Sequence, residues 1–256
     1  MRSTLLRPAT RLLVGGMLAL QVLLLLPTAA VADSSFRMDV ARKGDYVAQT
    51  NFVQCVGASM QMMLNMIEPK DDRTAQTQLN LQKLARSLSG PRRDGNERQG
   101  ASVRGWTAGL NTLSAGPYQL VGTDTLDEAL RTAARAISTT GKPVGLLVWR
   151  GRHAWVMSGF TATADPRLTD DFTVTGAVIL DPLYPHGSKV WGPSPQPRET
   201  LTPKEVGRQF VPRRQGNWPT GVTASPWSIL SSLGGMYVLV VPYEIDHLHT
   251  LASRAS

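Results

Sequence analysis

One cysteine in 256 residues excludes an intrachain disulfide and any metal site built from four thiolates. No HExxH sequence and no glycine-rich phosphate loop occurs, so zincin and P-loop chemistry have no residues to run on. Cys55 and His153 lack closely spaced acidic, His or Cys neighbours, and neither a metal nor an organic cofactor is expected. Charged residues reach only 18%, but 42% of the chain is hydrophobic, enough to exclude a wholly disordered protein. There is no internal repeat. Lys and Arg outnumber Asp and Glu by 27 to 19, yet they are spread along the chain without a nucleic-acid reading motif. No nucleic acid partner is expected. The excess charge suits an anionic cell-envelope surface or an acidic substrate.

What is present begins with an export pattern. Residues 1–11 hold three Arg and no acid, LLVGGMLALQVLLLL follows, and Ala30-Val31-Ala32 supplies the small residues of a cleavage site. The expectation is a signal peptide over 1–32 and a mature single domain over 33–256, secreted or held at the cell envelope. Loss of the three Arg lowers the net charge from +8 to +5. Membrane contact is expected only if this segment is retained, and a lipid anchor has no Cys near the junction to attach to. The oligomeric state is not legible.

An exported chain ordinarily uses thiols in pairs, so the lone Cys55 calls for a reason. A buried small hydrophobe, an interchain bridge and a reactive nucleophile are the three open readings. Its surroundings favour the last. A polar QTN stretch leads into Cys55, and Val56, Met60, Met63, Met66 and Ile67 then recur at helical spacing until Pro69. The cysteine therefore opens a helix, where unpaired N–H groups and the helix dipole favour a thiolate. Gly57 is costly in a helix unless the backbone must pack closely there. The methionines read as core filling rather than a metal box.

Further along, TAQTQLNLQKLARSLSG gives an amphipathic helix with Leu81, Leu84, Ala85 and Leu88 on one side, and PRRDGNERQG an exposed loop. A short helix spans Val103 to Leu113, PYQLVG is a weak strand, and Thr125 with Glu128 form a capping-box pattern that starts another helix. From Pro143 the texture changes to short apolar runs: PVGLLVW, HAWVMSGF, FTVTGAVIL and MYVLVVPYE. Helices first and an antiparallel sheet second predict an α+β fold, with one helical layer expected on one sheet. Residues 182–227, rich in Pro, Gly and Arg, read as an elaborated loop with one short helix at LTPKEVGRQF.

Of four His, His247 and His249 lie in a polar tail and His186 in a YPHG turn. His153 differs, because it starts a strand directly after the tight-turn sequence WRGR and so sits at the sheet rim. Asp181 ends the apolar run AVIL, where Pro182 stops the strand, and is positioned to orient an imidazole. Thiol acyl transfer needs a nucleophile, a base, an orienting group and an oxyanion donor. Cys55, His153 and Asp181 supply the first three, and either Gln49 or Gln54 can supply a side-chain N–H beside the Cys55 backbone N–H.

At these residues the chain resembles the papain-like cysteine peptidases, nearest to the compact bacterial branch that includes bacteriocin-leader processing (C39-like) peptidases. The resemblance rests on Gln49 six residues before a helix-borne Cys55, His153-Ala154-Trp155 on a strand, and Asp181-Pro182 at a strand end, in that order. It favours Gln49 over Gln54 as the oxyanion donor. It implies a papain-like fold and a secreted thiol protease that hydrolyses a peptide or isopeptide bond of a peptide or protein through a Cys-His-Asp triad. Val56 in place of the usual Gly or Trp, and the lack of a long propeptide between Ala32 and Gln49, depart from the family pattern. Two other functions use the same residues or scaffold: a transglutaminase-like acyltransferase, and a non-catalytic envelope-binding module that uses Trp149, Trp155, Trp191, Trp218 and Trp227.

Overall fold

The computed structural model describes residues 35–90, 99–215 and 233–244. The expected export segment, most of the PRRDGNERQG loop, Trp218, Trp227, His247 and His249 lie outside them. In chain order the elements are β1 (Phe36–Asp39), α1 (Cys55–Ile67), α2 (Ala75–Ser87), α3 (Val103–Thr112), β2 (Tyr118–Thr123), α4 (Leu126–Thr140), β3 (Val144–Val148), β4 (His153–Ala162) and β5 (Val174–Leu180). They are followed by β6 (Gly187–Ser188), β7 (Gly192–Pro193), β8 (Glu199–Leu201), α5 (Pro203–Val206) and β9 (Tyr237–Pro242). The class is α+β. Among the described residues no helix is long and apolar enough to cross a membrane.

Seven strands form one antiparallel sheet in the order β2-β9-β3-β4-β5-β8, with β1 pairing the far half of β4. Along the central strands, alternate residues enter two different cores. Leu146, Val148, Trp155, Met157, Ile179 and Leu239 join the residues of α4 and α5. Leu147, Ala154, Val156, Leu180, Val238 and Val240 join those of α1, α2 and α3. The sheet is thus covered by helices on both faces, and the single helical layer expected from the sequence is corrected. The physical reason was already in the strands: PVGLLVW and AVIL are continuous apolar runs, as a sheet buried on both faces requires, rather than alternating ones.

The helices begin where side chains can satisfy their first N–H groups. Thr74, Ser102 and Thr125 each accept from the backbone three residues on, and Thr202 with Glu205 completes a reciprocal capping box. Gly141 ends α4 in the left-handed region, at φ 65°. Met60, Met62 and Met63 are fully buried, in keeping with their reading as core filling. The elaborated stretch after Pro182 is more ordered than a loop. It contains the β6–β7 hairpin, the edge strand β8 and α5, and β8 extends the sheet by pairing with β5.

Gly57 explains itself through packing. A Cβ there would lie 2.7 Å from the Gln78 carbonyl oxygen and 2.9 Å from the Gln82 Cβ, so the glycine lets α1 and α2 touch backbone to backbone. Gly→Ala in an open helix is stabilising by about 0.5–1 kcal/mol. Here Gly57→Ala is expected to destabilise the fold by about 1–3 kcal/mol through overpacking. Urea unfolding measures this, and a gain in stability would contradict the contact.

Candidate active site

Four loops and element ends meet around the start of α1. The helix has Gln54 at its N-cap with no side-chain cap, so its first donors are left for other partners. One is taken by α2: the buried Gln82 accepts from Gly57 N–H at 2.9 Å and donates to the Val53 carbonyl at 2.8 Å. One turn earlier, the buried Gln78 accepts from Thr50 N–H at 2.8 Å and donates to the Ala48 carbonyl at 2.9 Å. The two amides, four residues apart on α2, thus hold both the approach to Cys55 and the helix start. The Cys55 N–H has no hydrogen-bond partner among the described residues.

The candidate base, His153, comes from the β3–β4 hairpin. Trp149, Arg150 and Gly151 all adopt positive φ, at 57°, 56° and 94°, and this left-handed turn delivers His153 opposite Val148 at the end of the ladder. Two of the three are not glycine, a backbone arrangement that surrounding contacts must hold. They do so here: the Trp149 N–H and indole Nε1–H donate to the Gln209 carbonyl and Oε1, at 2.9 and 2.8 Å. The indole then stacks on the His153 ring, with centroids 4.2 Å apart and planes 24° from parallel.

His153 and Asp181 are 4% and 0% exposed, and Nε2 of the ring lies 2.7 Å from Asp181 Oδ1. The same oxygen accepts from Leu183 N–H at 2.8 Å, while Oδ2 is buried without a partner. With Nε2 occupied, Nδ1 is the ring nitrogen left for Cys55. Burial of the ring opposes its charged form. Hydrogen bonds with Asp181 and Cys55, and the charge of both groups, outweigh that and push His153 up to about 9. Beside them the Tyr46 hydroxyl donates to the Tyr184 carbonyl at 2.8 Å. Burial, followed by the Asp181 and Tyr184 charges, pushes that phenol up.

The structure therefore brings Cys55, His153 and Asp181 together. Gln49 joins them through its backbone: its N–H donates to the Pro182 carbonyl at 2.8 Å, and Gln78 clamps the residues on either side. Its side-chain Nε2–H donates to the Asn51 carbonyl at 2.9 Å, which leaves one amide hydrogen unassigned. Gln54 is buried and its Oε1 accepts from the Thr50 hydroxyl at 2.5 Å. Phe52, 80% exposed, and Val53 form an apolar lip just before the cysteine. The sequence reading missed Gln78 and Gln82. Their signal was two amides at i and i+4 on the stripe that also carries Leu81 and Ala85. No protein-family model and no curated protein matches the chain.

A ring whose folded-state pKa is raised from 6.5 to about 9 stabilises the fold fully below pH 6.5, and that contribution is lost as pH rises through 9. The stability gap between the wild type and His153→Ala is expected to narrow by about 2–3 kcal/mol between pH 6 and pH 9.5. Urea unfolding at the two pH values checks this, and a gap that does not change contradicts it.

Proposed function

We propose that the protein is an exported cysteine peptidase of papain-like fold that hydrolyses a peptide or isopeptide bond. The observation that carries the reading is the His153–Asp181 bond of 2.7 Å, made by a buried ring that also interacts with a cysteine at a helix start. Each step then has a residue. His153 holds the Cys55 proton, and the thiolate attacks the scissile carbonyl carbon to form a C–S bond. The oxyanion that develops faces the unpartnered Cys55 N–H and the Gln49 amide. On collapse, His153 gives its proton to the departing amine and a thioester remains. Water, deprotonated by His153, attacks the thioester, and the acid leaves as Cys55 regains its proton. Asp181 keeps Nε2 protonated and Nδ1 aimed at sulfur throughout.

The chain has a single cysteine, so labelling reports on one site. Cys55→Ala is expected to abolish both cleavage of a mixed peptide library and labelling by a thiol-directed electrophile while circular dichroism is unchanged. His153→Ala should lower kcat/KM by about 10²–10⁴. Asp181→Asn, which keeps an acceptor oxygen, should cost less than Asp181→Ala. Full turnover by Cys55→Ala would sink the proposal, and amine adducts in place of free acids would convert it to an acyltransferase.

A further inference from the structure

Trp149 has a second role beyond its stacking on His153. With Trp191 and Val190 it walls a cleft of about 570 Å³ into which Arg150, Arg152 and Arg214 also project. The volume is that of a ligand pocket. Among the described residues, none that lines the cleft is acidic. None of these three guanidinium groups makes a hydrogen bond or ion pair among the described residues. Residues 216–232, between the two described segments nearest the cleft in sequence, contain no charged side chain that could neutralise them.

Three cations in one concave site, unpaired among the described residues, repel one another and focus a positive field outward, a cost to the free protein that an anion removes. The guanidinium fork matches a carboxylate in two parallel bonds. The indoles and the 82% exposed Val190 add apolar wall, which suits a chain with side chains better than a small hydrated anion. Position assigns the part of the substrate. His153 must hand its proton to the departing amine, so the amine-side residues lie on the His153 side of the sulfur, where Trp149 begins the cleft.

We infer that this cleft binds the residues on the amine side of the scissile bond and selects carboxylate side chains there. The inference rests on the peptidase reading, so its test has a binding arm that needs no turnover. Cys55→Ala protein is titrated by calorimetry with pentaglutamate, pentaglutamine and inorganic phosphate. The active protein cuts a mixed peptide library whose new ends are sequenced by mass spectrometry. Pentaglutamate is expected to bind at least about tenfold tighter than pentaglutamine, and to weaken about tenfold with each of Arg150→Gln, Arg152→Gln and Arg214→Gln. Cut sites should be enriched in Asp and Glu just after the scissile bond, and Arg152→Glu should shift that preference toward Lys and Arg. Equal binding of the two peptides, or insensitivity to all three substitutions, overturns the inference. So does displacement of pentaglutamate by equimolar phosphate, or cleavage without an acidic preference. Arginine-dependent binding with no cleavage of any peptide keeps the anionic cleft and overturns the peptidase reading instead.

Discussion

The hydrogen bond between His153 and Asp181 is the contact on which the site depends. A carboxylate with no exposed surface is costly to bury unless charge and hydrogen bonds compensate it, and among the described residues Asp181 has only two donors, the imidazole and Leu183 N–H, both on one oxygen. Its other oxygen is unpartnered, which makes a positive imidazole the more valuable. Position imposes that cost, because a sheet covered on both faces keeps water from the strand ends where the two residues sit, and the paired charge and hydrogen bonds offset it. The burial that makes the charge costly also strengthens the attraction between the two groups.

The thiol reaches that pair from the other structural half. β4 and β5 fix His153 and Asp181, while α1 brings the cysteine, and α2 holds the start of α1 through Gln78 and Gln82. Gly57 lets the two helices approach closely enough for those amides to reach. The Pro182 carbonyl closes the circuit by accepting from Gln49, so the residue after the orienting acid anchors the proposed oxyanion donor. Neutral hydrogen bonds of this kind contribute about 1 kcal/mol each, but leaving any of these buried groups unpaired costs more. The arrangement is therefore sensitive to loss of a single amide.

Much of the fold was legible because its signals are local. Helical spacing after Cys55, Thr125 as an N-cap and the apolar runs of β3, β4, β5 and β9 each needed only a short window. The positions of Cys55, His153 and Asp181 were legible for the same reason, since a helix start, a hairpin end and a strand end are all local events. The second helical face was not read, because α4 precedes the strands in sequence and only the burial of both strand faces places it opposite α1. Nor was the arginine cleft, whose walls come from the 149–152 turn, the segment after β6 and Arg214, brought together by tertiary structure alone. The roles of Gln78 and Gln82 were not read either, because their partners in the 48–57 segment are distant in sequence.

The central claim is that Cys55 and His153 act as one chemical unit. Because the chain has a single cysteine, the rate of alkylation by iodoacetamide across pH 5 to 10 reads Cys55 alone. The account predicts that the imidazole, which takes the thiol proton, sustains alkylation down to pH 6 in the wild type, and that His153→Ala loses most of its rate at pH 6 and regains it only at alkaline pH. Superimposable profiles for the two proteins would contradict it.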